Sequence, residues 1–318
     1  MDFYLSMRRH NRSVQGEFVT WGGQADIYKV ELDGQPQILK VYRHEAAQGR
    51  LREISDTFVK LPDIPQQLDR ARMLDCGSTE YRGRTVPAAL FRYVPGKMLF
   101  SNNPERDCDL ARVEVTDAYR LRLATELIEA IHFLHTHRII HADLSPTNIL
   151  VNDAVPELTI IDVDGAGMLN DEDDGWAQPP IVAGQSQVPG FPPPSENAYH
   201  VVYPESDYWW TAMLLFYIST SLSPFFLLAD ASRASLSELA GVLTRSKGRE
   251  WPPSYEVAMT HSKFRRDISV EVYSMVERQA HLLGSTNAFY LTFGPGYGNR
   301  KARVPLGYLH RELKAYRK

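Results

Sequence analysis

The stretch HADLSPTNILV, from His141 to Val151, decides how the rest of the chain is read. It places Asp143 and Asn148 five residues apart in a polar turn, then moves directly into the apolar run Ile149, Leu150 and Val151. Asp162 follows Asn148 by fourteen residues, at the end of the strand-like segment ELTIIDV. Carboxylate and amide oxygens are hard ligands of the kind Mg2+ takes up beside phosphate. Aspartates in turns also cap helices. The residue types alone leave both uses open.

Working outward, AYRLRLATELIEAIHFLH repeats Leu121, Ala124, Leu127, Ile128, Ile131 and Leu134 at helical spacing, which predicts a helix with one core face. The first third reads as strands with one helix. FVTWGGQADIYKVEL sets apolar residues on either side of a small-residue turn, and QPQILKVYR and TVPAALFRYVPG are rich in strand formers. LREISDTFVKLPDI reads as a short helix ended by Pro62 and Pro65. The interval from Gly165 to Glu196 is dominated by acidic residues, Gly and Pro, and is long for a connection inside a compact domain. From Asp207 the chain becomes helical again. The order predicts an α+β fold of two lobes: a small β-rich lobe over residues 1–96 and a larger helical lobe over 97–290. Residues 291–318 form a basic extension, with seven Lys/Arg against one Glu.

Bulk composition narrows the function classes. A chain of 318 residues with a net charge of −4 has no global attraction to nucleic acid or to an acidic membrane. Two cysteines, Cys76 and Cys108, make no disulfide framework and suit a reducing, cytoplasmic setting. The uncharged run from Tyr208 to Ala229 approaches the length of a bilayer span. Pro224 and five hydroxyl residues interrupt it, so a buried helix followed by a turn is the expectation. His132, His135, His137 and His141 lack the matching carboxylate or cysteine set of a zinc site. GPGYGN, at Gly294 to Asn299, lacks the Gly-Lys-Ser/Thr of a phosphate loop and reads as a turn. The acidic run Asp171 to Asp174 reads as a solvated loop tip.

With IIDVDG following it, HADLSPTNILV resembles the catalytic core of the eukaryotic-type (Hanks-type) Ser/Thr protein kinases, in the divergent form found in bacteria. The resemblance spans Phe18 to Phe225 and rests on several motifs in the right order. It implies a two-lobed, protein-kinase-like fold. It also implies ATP as phosphoryl donor and Mg2+, with Mn2+ as the alternative metal. Lys40, in ILKVYR, takes the place of the lysine that binds the α- and β-phosphates, and Glu53 that of the helix glutamate paired with it. Asp143 takes the place of the base, Asn148 and Asp162 those of the metal ligands, and His141 that of a structural histidine. Asp207, opening SDYWWTAMLLFYISTSLSPF, would hold the catalytic loop from beneath. This helix signature separates the chain from small-molecule kinases, which share the H-x-D-x4-N loop. Gly22, Gly23, Ala25 and Ile27 would cover the phosphates. Phe91 would gate the back of the pocket, the backbones of Arg92, Tyr93 and Val94 would contact adenine, and Leu150 would lie beneath it. The protein substrate is not named by the sequence. The resemblance implies a metal-dependent phosphatase as the opposing partner.

Four departures bear on activity. Ala142 replaces the arginine that clamps a phosphorylated activation loop, and the loop between Asp162 and Glu196 offers only Ser186 and Ser195, without Thr or Tyr. Ser145 replaces the lysine that neutralises the transferred phosphate. Asp164 stands where Gly is customary. Thr20 and Ala25 occupy the outer glycine positions of the phosphate-covering loop, around a central Gly22. The reading is an active Ser/Thr protein kinase not controlled through its activation loop. A nucleotide-binding pseudokinase scaffold is the alternative, with a small-molecule kinase behind it.

Overall fold

The computed structural model describes residues 1–99, 116–152, 155–169, 175–177, 201–222, 239–241, 252, 255–256, 268–282, 292 and 299–316. Four antiparallel strands open the chain: β1 (Asp2–Met7), β2 (Asn11–Trp21), β3 (Ala25–Leu32) and β4 (Gln35–Tyr42). Helix α1 (Ala47–Lys60) and the single turn α2 (Gln66–Asp69) come next, then β5 (Met73–Tyr81) and β6 (Arg84–Arg92). The six strands close into a barrel in the order β1-β2-β3-β4-β6-β5. Two hairpins are made by the pairs Asp33-Gly34 and Arg82-Gly83, all four residues at positive φ. Two-residue hairpins favour that backbone because its twist matches that of the strands.

Strand β1 was not foreseen in the sequence. Its Phe3 and Leu5 alternate inward, and it pairs with β2 on one side and β5 on the other, closing the barrel. The approach to β5 needs Gly77, where an added Cβ would lie 2.3 Å from the Ser6 carbonyl oxygen.

Alternation along β4 and β6 separates two cores. Leu39, Val41, Ala88 and Leu90 fill the barrel with Phe3, Leu5, Tyr28 and Val30. Tyr42, Ala89 and Phe91 face the other way, into the main core that receives Leu51, Ile54 and Phe58 of α1. That face of β4 also carries Lys40, directly opposite Ala89.

The second lobe is built on α3 (Asp117–Thr136), capped by Thr116, whose side chain accepts from the Tyr119 N–H. The short strands β7 (Lys97–Met98), β8 (Ile139–Ile140), β9 (Ile149–Asn152), β10 (Glu157–Ile160) and β11 (Gly167–Met168) lie around the catalytic turn. β12 (Trp176–Ala177) pairs with β13 (Val201–Val202). Helix α4 (Pro204–Thr220) is buried on all sides and ends at Ser221 in the left-handed conformation. No helix among the described residues is long and apolar enough to cross a membrane. Helices α5 (Val270–Leu282) and α6 (Leu306–Tyr316) complete the described part of the lobe.

The basic segment 291–318 is not a separate extension where it is described. Helix α6 packs on α3, and the 3-10 turn Arg300–Ala302 packs on α4. Arg303 is buried and donates to the Glu205 carbonyl oxygen at 2.9 Å. Glu205 also takes Arg300 at 3.0 Å and Lys301 at 2.6 Å through its carboxylate. The charges that look like a solvated or docking surface in sequence are thus partly spent on one carboxylate at the start of α4. The Asp171 to Asp174 run, most of the GPGYGN turn, Cys108, Ser186, Ser195 and Glu196 lie outside the described residues.

Candidate active site

The catalytic turn is held from below. The Asp207 carboxylate, fully buried, accepts from the backbone N–H of His141 at 2.8 Å and of Ala142 at 3.2 Å, and meets His135 Nε2 at 2.8 Å. Ala142 has φ +69°, a left-handed conformation that a non-glycine residue adopts only when its surroundings impose it. The two bonds to Asp207 supply that restraint. His141 is buried, its Nε2 bonded to the Ile161 carbonyl oxygen at 3.0 Å and its Nδ1 facing the Asp143 N–H at 3.4 Å. Burial lowers the His141 pKa, keeping the ring neutral. Among the described residues no cluster of His, Cys, Asp and Glu forms a metal site around these histidines.

Asn148 donates from Nδ2 to the Asp143 carbonyl oxygen at 2.8 Å and to Asp143 Oδ2 at 3.1 Å. Its Oδ1 is therefore the atom left to meet a cation. The Ile161 N–H donates to the Asn148 carbonyl oxygen at 2.9 Å, which ties the turn before Asp162 to the turn that ends at Asn148. Asp162 has φ +63° and a partly exposed carboxylate. The chemistry of the pair fits a hard divalent cation: it offers protein oxygens, and phosphate and water would complete the shell.

Burial raises the Asp143 pKa to about 7, aided by the negative charge of Asp162, against the Asn148 bond and the Lys40 charge. A carboxylate poised near neutrality suits a group that takes up a proton.

Lys40 is where the structure departs from the sequence reading. Burial alone would lower its pKa, but Asp162 and Asp164 together raise it, so the side chain is a permanent cation. Its Nζ contacts Asp162 and lies 2.7 Å from Asp164 Oδ1, and it sits 4.7 Å from the centre of the Phe91 ring. The expected Lys40–Glu53 pair is absent: Glu53 is exposed on α1. Burying Leu51, Ile54 and Phe58 turns Glu53 toward solvent and Arg50 toward the cleft. Arg50 Nε donates to the Asp164 carbonyl oxygen at 3.1 Å, and its Nη2 to the Ala166 oxygen at 2.7 Å and to that of Gly165. Its guanidinium also lies 4.3 Å from the Trp176 ring. Nothing in the spacing around Arg50 marked it. Asp164 was visible in the sequence as an unusual residue, but its direction was not.

The remaining expected positions fall around the cleft. Ile27 lies directly opposite Lys40 across β3 and β4, and Ala25 opposite Tyr42. The Gly22 N–H bonds to the Ala25 carbonyl oxygen at 2.8 Å, closing the tight turn through Gly23. Phe91 is buried at the end of β6, Arg92 turns its side chain to Asp69 at 3.0 Å, and Tyr93 carries Lys29 at 4.7 Å from its ring. A cavity of about 160 Å3 is lined by Arg92, Tyr93, Val94, Pro95 and Leu150 together with residues of β9 and β10. Lys40, Asp143 and Asp162 are not part of it. Ser145 is buried, with its hydroxyl 2.7 Å from that of Thr147, and brings no positive charge to a phosphate.

Residues 90–281, more than half of the chain, match the sequence profile of the protein kinase domain. The chain belongs to that family. Lys40 and the Gly22 turn precede the matched span, and the contacts of Lys40 with Asp162 and Asp164 are among those that join the barrel to the recognised kinase domain. Curated relatives include human death-associated protein kinase 2, 26% identical over 51% of this chain and 40% of its own. Human myosin light chain kinase 3 is 27% identical over 66% of this chain and 23% of its own. Rabbit serine/threonine-protein kinase 17A is 27% identical over 33% of this chain and 25% of its own. The chain therefore matches less than half the length of each of these relatives.

Proposed function

We propose that the chain is an ATP-dependent protein kinase that phosphorylates Ser or Thr hydroxyls of protein substrates. The observation that carries the reading is the convergence of Lys40, Asp143, Asn148 and Asp162 from three separate segments on one cleft, on a domain whose relatives include a serine/threonine-protein kinase by name. Lys40 holds the α- and β-phosphates of ATP. Asp143 accepts the proton of the substrate hydroxyl as its oxygen attacks the γ-phosphorus. The bond from that phosphorus to the β–γ bridging oxygen breaks, and ADP leaves with the electron pair. Mg2+ held by Asn148 and Asp162 would supply charge neutralisation for the phosphate oxygens. Phosphoryl transfer demands mostly positioning and electrostatics, so the loss of a cation at Ser145 slows such an enzyme rather than removing a required step.

Ala142 offers no charge to a phosphorylated activation loop, which favours activity independent of that modification. The test is transfer of labelled γ-phosphate from ATP with Mg2+ or Mn2+, to the protein itself and to a generic basic protein, beside Asp143→Asn. Label that disappears in the variant is the expected result. No label above the variant, with ATP still raising the melting temperature, would favour a nucleotide-binding scaffold.

A further inference from the structure

Two carboxylates meet the Lys40 ammonium, and they differ in what else they can reach. Asp162 is partly open to the cleft, where a cation and phosphates would claim it. The Asp164 side chain is only 10% exposed, and its second oxygen accepts from the Tyr42 hydroxyl at 2.5 Å. The same short turn is clamped to α1 through the three carbonyl oxygens that Arg50 engages. Glu53 is exposed, and its charge acts on Arg50.

We propose that Asp164, rather than a glutamate of α1, is the fixed anion that positions Lys40 for the nucleotide phosphates. The proposal rests on the kinase reading above. Once Asp162 turns to a metal, Lys40 keeps one largely enclosed partner of opposite charge, so its ammonium stays aimed at the cleft. Asp164 lies two residues beyond Asp162 on the same turn, so Lys40 registers directly with the metal-binding segment. Helix α1 then contributes through Arg50, which holds the turn, and its glutamate is dispensable. Asp164 is a positioning residue: it acts on the phosphates only through Lys40.

A double-mutant cycle tests this, read as the dissociation constant of fluorescently labelled ADP in EDTA, with melting temperatures checked for each variant. Working without metal keeps any role of Asp164 as a cation ligand out of the measurement. Asp164→Asn is expected to change the constant threefold or more in the native background and less than 1.5-fold beside Lys40→Met. Tyr42→Phe, which removes no charge, is expected to shift it in the same direction by less. Glu53→Gln is expected to leave it within 1.5-fold. An Asp164→Asn effect that persists beside Lys40→Met would overturn the proposal, as would a Glu53→Gln effect equal to it or no Asp164→Asn effect at all. If Lys40→Met itself leaves ADP binding unchanged, the kinase reading of Lys40 fails first and the proposal with it. Should Asp164→Asn not fold, Tyr42→Phe carries the cycle alone.

Discussion

Asp207 and His141 stand sixty-six residues apart in the chain, yet the carboxylate of one lies 2.8 Å from the backbone nitrogen of the other. The same carboxylate takes the Ala142 N–H and His135, so one buried anion satisfies two orphan amides and holds a left-handed residue in place. Removing it leaves those amides unpaired in the core. Each buried, unsatisfied group costs roughly 1–3 kcal/mol. Asp207→Ala is accordingly expected to lower stability in urea by about 3 kcal/mol or more and to abolish phosphate transfer. Asp207→Asn, which retains one acceptor oxygen, should be milder in both. Equal stability of Asp207→Ala and the native chain would show that the turn is held by other means.

The raised Asp143 pKa predicts a pH dependence of known sign. Its value moves from the ordinary 3.8 to about 7 in the fold because burial disfavours the charged form. Between those values the folded chain holds a proton that the unfolded chain has released, so this group's contribution to stability falls as pH rises and is lost above about 7. Asp143→Asn, which cannot ionise, should therefore gain on the native protein between pH 5 and pH 8, measured as the difference in urea midpoint. Phosphate transfer should show the opposite slope, rising through about pH 7 as Asp143 becomes the base. A stability difference independent of pH would mean that Asp143 is already ionised at pH 5.

Arg303 gives a prediction about the C-terminal segment. It is 2% exposed, donates to the Glu205 carbonyl oxygen and lies 5.3 Å from the Trp209 ring. Arg303→Ala removes packing and a charged donor to the Glu205 carbonyl oxygen, a loss on the order of 3 kcal/mol. Lys301→Ala, whose side chain is 60% exposed, should cost well under 1 kcal/mol. Chemical denaturation of the two variants checks the contrast. Similar small losses would mean that the segment is dispensable to the lobe.

The unforeseen first strand carries its own test. Leu5 is fully buried in the barrel, and truncating a buried leucine to alanine typically costs 2–5 kcal/mol. Leu5→Ala should lower the urea midpoint accordingly. Tyr4→Ala, at an exposed position of the same strand, should not. If both are silent, β1 is an ornament and the other five strands stand without it.

Local order along the chain can be read from residue types and their spacing. Helical spacing from Leu121 to Leu134, strand formers around Lys40 and Phe91, and the intervals between Asp143, Asn148, Asp162 and Asp207 were all legible, because each depends on residues near one another in the chain. These carried the kinase resemblance and most of the candidate site. Strand β1 was missed because its short alternation has meaning only once β2 and β5 flank it. Tertiary structure alone decided the partner of Lys40. Asp162 and Asp164 lie 122 and 124 residues away in the chain, whereas Glu53 looked nearer and familiar. Which acid wins depends on how α1 rotates to bury Leu51, Ile54 and Phe58, and that rotation sends Arg50 inward and Glu53 out. The C-terminal basic residues follow the same logic. Charge counts show their sign, but the geometry of Glu205 and Trp209 decides that Arg303 is core. A charge pairs with whatever opposite charge the packing of apolar faces brings within reach, and that packing is a property of the whole fold.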